Sequence, residues 1–495
     1  MKVFEFLLSE AARIANAITI GNNRITDEQY IVKELNRFKA SQRRKEMIDG
    51  EKYYLGVHDI LQRKRTAIGE RGDLEVIKNV PNNRIVDNQY KKMVNQKNNY
   101  LLGQPISVQC ENKDYAKLLK KIFNKKFQKL LKSVGEDSLN CGLGWLFVYY
   151  DEKGNLSFKR LKPFEILPGW KDAEHTILDY AIRIYEVIAY ENKTKKIIQK
   201  VEVYDDKGIH YFNLDGSGLT STEPFFNNYF TVVNENGKED GYNWEKIPLI
   251  PFKYNDKEIP LVKMVKSLQD GLNLITSNFQ NVMEEDTRNT ILVLVNYDGE
   301  KLGDFRRNLA QYGAVKVRTV DGAPGDLKTL QVEVNADNYK AIIEIFKKAI
   351  IENAMGYDAK DDRLAGNPNQ MNIQSMYSDI DLDANGMETE YQAAFEELLW
   401  FINCHFANTG LGDFEDEEVD IIFNRDILIS ESDVIKNCQL SAGILSDETI
   451  VSQHPWVDDP QLELERLRKQ KQENEEQYGV AFAEPSPKEM INAEK

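Results

Sequence analysis

Carboxylates come closest to a reactive constellation in this 495-residue chain. Asp358, Asp361 and Asp362 crowd around Lys360, and Asp413-Phe-Glu-Asp-Glu-Glu-Val-Asp420 forms an acidic run. Groups of this kind ligate Mg²⁺ or Ca²⁺, and paired metal ions drive nucleases and phosphoesterases. Two-metal chemistry needs rigidly placed ligands. The first group sits in a polar stretch with no supporting strand, and the second lacks the position-by-position order of an EF-hand loop. Both therefore read as solvated loops, with a metal-dependent nuclease or phosphoesterase kept as the alternative. No Gly-x-x-x-x-Gly-Lys-Ser/Thr loop and no His-Glu-x-x-His helix is present. His58, His175, His210, His405 and His454 are scattered, and His405 beside Cys404 in an apolar stretch suits a buried or capping histidine better than a nucleophile pair. Cys110, Cys141, Cys404 and Cys438 are far apart and form no Cys-x-x-Cys, so they read as small apolar residues in a reducing compartment. No catalytic residue, cofactor or metal is expected.

The elements that would have to hold a site describe a rod instead. Leu261, Val265, Leu268, Leu272, Ile275, Phe279 and Val282 alternate in steps of four and three, which predicts a helix from Glu258 to Glu285 with one buried stripe. Its other face, with Lys263, Lys266, Asp270, Asn273, Ser277, Gln280 and Glu284, is expected to be wet. At about 1.5 Å per residue the helix would be roughly 40 Å long. Strand-like runs follow at 291–295, 314–318 and 327–334, around a short helix at 302–309. A return helix over 336–355 aligns Tyr339, Ile342, Ile343, Phe346 and Ile350, and can pack antiparallel to the first. Gly356 ends it, a polar loop carries Lys360 and Arg363, and a very long helix runs from Ile373 to Phe406 with Gly386 as the expected place for a bend.

Upstream, helices are predicted over 27–50, 91–102 and 115–139. Strands are predicted for 145–150 and 156–160 as a hairpin, then 180–187, 197–204, 210–213 and 229–234. The prolines of Ile247-Pro-Leu-Ile-Pro-Phe252 favour an extended connector. The lysine stretch 113–132 suits a solvated face or one paired with an acidic neighbour. Near the C-terminus Ser430 caps a helix that Gly443 stops, Ser446 starts a second, and Asp459-Pro460 a third. A strand is expected at 419–423, and the tail from Gly479 reads as disordered. The fold class is α+β, mainly helical.

Net charge is −16 and no apolar run reaches the 18 residues of a membrane span. The N-terminal Met1-Lys-Val-Phe-Glu-Phe-Leu-Leu8 is broken by charge and fails as a signal peptide, so no membrane partner is expected. Such acidity argues against a coat on nucleic acid, which needs concentrated Lys and Arg, but not against a passage that DNA must not stick to.

Pro248-Leu-Ile-Pro-Phe252, Leu268-Gln-Asp270, Ile291-Leu-Val-Leu-Val-Asn-Tyr297, Gly356 and Met387-Glu-Thr-Glu-Tyr391, in this order of elements, resemble the portal proteins of tailed double-stranded DNA phages, of the siphophage type of Gram-positive hosts. The likeness runs from about Arg24 to Lys471. It implies a portal fold: wing 1–257, first stem helix 258–286, clip 287–335, second stem helix 336–356, tunnel loop 357–372, long wing helix and strand 373–429, crown 430–478 and tail 479–495. It further implies a ring of about twelve subunits at one capsid vertex of the virion, assembled in the host cytoplasm, through which double-stranded DNA enters and leaves without being read. Implied partners are the terminase and head-completion or adaptor proteins at the clip, with the major capsid and scaffolding proteins around the ring. On this basis Lys360 and Arg363 are candidates for phosphate contact, with Asn367, Asn369 and Gln370 for weaker polar contact. Asp298, Lys301, Arg306, Arg307, Asp321 and Asp326 are candidates for docking, and Gly386 for a hinge. A self-assembling scaffold with a closed coiled coil and no bore is the third reading.

Overall fold

The computed structural model describes residues 28–68, 73–76, 80–191, 194–216, 218–233, 237–286, 291–295, 326–330, 336–358, 370–425, 431–457 and 462–470, with backbone alone for 191, 285–286, 291–295, 326–330, 370 and 431–433. The chain divides into two units, Met1–Gly356 with Ile380–Asp426, and Tyr357–Asp379 with Ile427–Lys495.

The first unit opens on α1 (Glu28–Ala40) and α2 (Gln42–Tyr54). The periodicity predicts one helix here, and a cap interrupts it: Ser41 is extended (φ −66°, ψ 145°) and its hydroxyl accepts from the Arg44 amide. A short 3₁₀ turn, Asp59–Gln62, and a small hairpin of β1 (Thr66–Ile68) and β2 (Leu74–Val76) lead to α3 (Gln89–Leu102) and β3 (Ser107–Gln109). The lysine stretch likewise forms two helices rather than one, α4 (Lys113–Ile122) and α5 (Lys125–Cys141). Asn124 accepts from the Lys126 and Phe127 amides and restarts the chain.

The expected hairpin follows as β4 (Leu143–Tyr150) and β5 (Leu156–Leu161), with Trp145 opposite Leu161. Then β6 (Ile166–Trp170), β7 (Leu178–Glu191), β8 (Thr194–Asp205), β9 (Gly208–Asp215) and β10 (Gly218–Asn227) build an antiparallel sheet in the order β10-β9-β8-β7-β6. Alternation puts Ile182, Ile184, Val201, Val203 and Phe212 on one face, where Ile31 and Leu35 of α1 cover them. β11 (Phe230–Val233) pairs with β12 (Glu239–Tyr242). The proline-bearing connector becomes β13 (Leu249–Lys253), added to the free side of β4, and Pro251 is tolerated because β13 is an edge.

The rod elements are α6 (Leu261–Asp286), the two-stranded pair β14 (Ile291–Val295) and β15 (Asp326–Leu330), α7 (Ala336–Asn353), and α8 (Gln370–Asn408), whose 39 residues make about 58 Å of helix at about 1.5 Å each. β16 (Asp420–Ile422) returns to pair with β3. The second unit contains the start of α8, α9 (Glu431–Ser441), α10 (Asp447–Ser452) and helix 462–470. Ser446 caps α10 as expected, and Gly443 sits at φ +84° after α9. Ser430 and Asp459-Pro460 lie outside the described residues, as do the strand expected at 314–318, the short helix at 302–309 and the tail.

The largest core joins residues from α3, α5, β4, α6 and α8, among them Tyr90, Leu131, Leu146, Val265 and Phe395. Each such side chain contributes about 1.5–3 kcal/mol on burial. A second core around Trp145, Ile166 and Leu249 joins the hairpin to the sheet. Two helices meet at Gly50, where an added Cβ would collide with the backbone carbonyl of Asn140. Gly386 is the converse, with nothing within 4 Å of a Cβ. Gly50→Ala is expected to destabilise by about 1–3 kcal/mol, whereas Gly386→Ala should be neutral or stabilise by up to about 1 kcal/mol through helix propensity. Urea unfolding reads both, and equal effects would contradict the packing described.

Candidate functional site

The most distinctive construction in the described chain is the hairpin of α6 and α7. The rings of Phe279 and Tyr339 pack with centroids 5.0 Å apart and planes tilted by 35° at one level, and Phe346 lies against Gly271 at another, so the two helices run antiparallel. A Cβ at Gly271 would come within 2.8 Å of the Phe346 ring and would push it aside. At the base Leu261, Val262, Val265, Leu272, Ile350 and Ile351 are buried in the main core. Further along, the apolar stripe read from the sequence is only half-buried at Ile275, Phe279 and Val282. The helix begins at Leu261 rather than Glu258, whose carboxylate is buried and paired with Arg43, His175 and Lys253.

The expected wet face of α6 is corrected by the structure. Asn273 and Ser277 are fully buried, in line with Gln269 and Asn281 at four-residue spacing. They hold a non-helical strap, residues 81–88. The Asn83 amide donates to Asn281 Oδ1 (2.7 Å), Ile85 to Ser277 Oγ (2.9 Å) and Asp87 to Asn273 Oδ1 (3.1 Å), and just past the strap, in the first turn of α3, Tyr90 donates to Gln269 Oε1 (3.0 Å). Four helical residues advance about 6.0 Å and two extended residues about 6.6 Å. Every fourth side chain of a helix can therefore meet every second amide of a strap running the other way. Asp87 also reaches Lys347 of α7 at 2.8 Å, tying the strap to both helices.

His58 locks the ladder. Its Nε2 donates to the Tyr53 carbonyl (3.0 Å) and its Nδ1 accepts from Asn273 Nδ2 (2.8 Å), an arrangement that only the neutral ring satisfies. Burial pushes its pKa down. Beside it Lys266 donates to Tyr53 Oη (2.9 Å), Asp59 Oδ2 (2.5 Å) and Asp270 Oδ2 (3.0 Å). Burial opposes that charge, but the bonds to Asp59, Tyr53 and Asp270 outweigh it and raise the lysine pKa.

The anchored part of α8 is held by charge. Lys97, buried on α3, pairs with Asp383 at 2.6 Å, and Tyr254 donates to the same carboxylate at 2.7 Å. Arg425 reaches Asp381, Asn385 and Glu388. α8 runs unbroken through Gly386, and Arg425 staples the turns on either side of it.

Of the residues singled out by sequence, Lys360, Arg363, Asn367 and Asn369 of the loop, and Asp298, Lys301, Arg306, Arg307 and Asp321 of the tip, lie outside the described residues, as do Asp361 and Asp362. Gln370 is the first residue of α8, and Asp326 the first of β15, opposite Val295. The order helix, β pair, helix, long helix stands as read. Among the described residues no group of three or more His, Cys, Asp or Glu is placed to share a metal ion, and no helix is long and apolar enough to cross a membrane. All four cysteines are free, and His405 is half-buried, with Nδ1 3.1 Å from Tyr150 Oη.

Two measurements test the ladder. Ser277→Ala strands the Ile85 amide and should cost about 1–3 kcal/mol, whereas Gln280→Ala on the exposed side should stay within about 0.5 kcal/mol. Equal urea midpoints would show that the ladder contributes nothing. Because the folded-state pKa of His58 lies below its ordinary 6.5, the unfolded chain takes up more protons as pH falls through about 6.5, and stability falls with it. That slope should diminish in His58→Gln; an unchanged slope would assign it elsewhere.

Comparison with known proteins sets this geometry in context. Residues 39–477 match the family described as phage portal protein, SPP1 Gp6-like. The portal protein of Bacillus phage SPP1 is 27% identical over 437 residues, covering 88% of this chain and 85% of the relative. That of Clostridium phage phiCD119 is 27% identical over 454 residues, covering 88% and 95%. A solved chain from the neck of a native GTA particle computed with C12 symmetry is 13% identical, covering 74% of this chain and 89% of that one at a TM-score of 0.37. With the family match spanning nearly all of the described residues, this chain belongs to the phage portal protein family.

Proposed function

We propose that copies of this chain close into a ring of about twelve at the unique capsid vertex, with the α6–α7 hairpins as a stem around a channel for double-stranded DNA during packaging and ejection. Beyond family membership, one observation carries the proposal. The hairpin is fastened at its base yet leaves apolar side chains uncovered on both helices, with Leu274 44%, Met283 46% and Ile345 66% exposed. An isolated two-helix hairpin with uncovered apolar faces is poorly buried on its own, and identical neighbours on either side would supply the missing contacts.

The electrostatics support a conduit over a clamp. Twelve-fold repetition of a chain with net charge −16 gives a strongly acidic assembly, and a duplex carrying about one charge per 1.7 Å would slide through its bore rather than adhere. Lys360 and Arg363, with Asn367, Asn369 and Gln370, would provide brief, sequence-independent phosphate contacts from the loop between α7 and α8. The segment between α6 and α7, including Asp298, Lys301, Arg306, Arg307, Asp321 and Asp326, would dock the packaging motor and later the head-completion proteins. ATP hydrolysis belongs to that separate motor, and this chain acts without catalysis. Gly386 would let α8 bend as the head fills, once Arg425 releases Asp381 or Glu388.

Native mass spectrometry of the purified chain should give a closed oligomer whose mass is a multiple of 57.1 kDa. Ile345→Asp should shift it to smaller species without unfolding, and a wild-type monomer at all concentrations would contradict the ring. Gly386→Ala should assemble normally but change the amount of DNA packaged per head. Unchanged packaging would remove the hinge.

A further inference from the structure

Strand β7 joins two features that cannot serve each other within one chain. Beyond the Arg183–Ile166 pair β6 does not extend, and beyond the Gln199–Leu214 pair neither does β9, so among the described residues the far ends of β7 and β8 continue as a two-stranded arm with no third strand beside it. In the arm Ile188 faces Ile197 and Tyr190 faces Lys195. Ile188, Ile197 and Tyr190 are 54%, 56% and 75% exposed on one side of it, and Lys195 is exposed beside them. An unpaired arm with an apolar face is an unfinished contact.

At the other end of β7, Leu178 and Asp179 border a cleft of about 1170 Å³ between the sheet, the segment before β13, and α8. It exceeds the roughly 300–1,000 Å³ of a small-molecule pocket and suits side chains from a protein element. Acidic residues outnumber basic ones in its lining, seven carboxylates including Asp206, Glu245, Glu390, Glu396 and Glu397 against Lys171, Lys207, Lys246 and Lys253, and it offers Ile177 and Trp400 as apolar surface. Lys171 and Lys253 are already committed to Asp179 and Glu258, and Lys246 lies 4.8 Å over the Trp400 ring. Burial pushes the Glu397 carboxyl up to about 7, with Lys246 the one charge opposing it.

We infer that the β7–β8 arm of one copy seats in the acidic cleft of the next, Tyr190 and the isoleucines covering the apolar wall and Lys195 answering the α8 glutamates. Twelve residues of β7, about 40 Å at about 3.3 Å each, separate Leu178 at the cleft from Tyr190 on the arm. A chain therefore cannot fill its own cleft, and a second copy fits by charge and by shape. The contact joins two different surfaces, head to tail, and its repetition gives a ring where the rotation from one copy to the next closes.

The inference rests on the ring reading, and the test separates the two. Cys110, Cys404 and Cys438 are replaced by serine, Tyr190→Cys and Glu396→Cys are introduced singly and together, and a bismaleimide is applied to purified protein that is imaged in parallel. The double variant should give a ladder of covalent multimers, and a mixture of the two single variants should stop at dimers. Lys195→Glu should raise the concentration midpoint of assembly about tenfold, with recovery in Lys195→Glu/Glu396→Lys. Rings without cross-linked multimers would overturn the arm-in-cleft contact and leave the ring standing. Absence of rings would bring down both.

Discussion

A match of spacing underlies the portal-like architecture. Gln269, Asn273, Ser277 and Asn281 present a hydrogen-bonding atom at every turn or so of α6, the strap of residues 81–88 presents the amides of Asn83, Ile85 and Asp87 at every second residue, and Tyr90 at the start of α3 meets Gln269. Neither could be buried alone, because a stranded amide or side-chain polar group costs about 1–3 kcal/mol. Together they fasten a long helix to the body along a polar seam while an apolar stripe holds it to α7. The projecting hairpin has two different fastenings on two faces, and this fixes its direction. Asp87 and Lys347 extend the seam to α7, while Lys266 and His58 lock its inner end.

Much of this fold is legible in the residues. The four-three spacing of leucines and valines reveals α6, the branched run at 291–295 reveals β14, and the alternation in β7 and β8 reveals the sheet. The strap is harder to see, because buried amides and hydroxyls at helical spacing look like a solvated face when only apolar residues are counted. A signal was present: the ladder positions are all uncharged, while Lys263, Lys266, Asp270 and Glu284 lie off them. Ser41 and Asn124 show a related limit, since each sits inside an apolar period that continues across it, and only the capping bond reveals that the helix ends. Gly271 reads as a neutral helix residue until Phe346 arrives from a segment far along the chain.

For the candidate site, residue types can be read from the sequence but their placement cannot. The loop and tip residues proposed to meet DNA and the motor are polar and charged types, whose role depends on where a ring places them. Periodicity has no access to that. The features bearing on assembly are those a single chain leaves unfinished: the uncovered apolar residues of the stem, the bare β arm and the acidic cleft. A monomer in water gains nothing from them, and a head-to-tail neighbour would complete them together. The fixed polar seam matters here, because a hairpin free to swing could not present the same face to every neighbour.

Electron microscopy of the purified protein, viewed down the symmetry axis, tests the central claim most directly. The α6–α7 hairpins should stand side by side around an open channel wide enough to pass a DNA duplex, each with its strap on the outer side of the seam. A filled helical bundle, or a lone particle with the hairpin folded into its own core, would contradict the account.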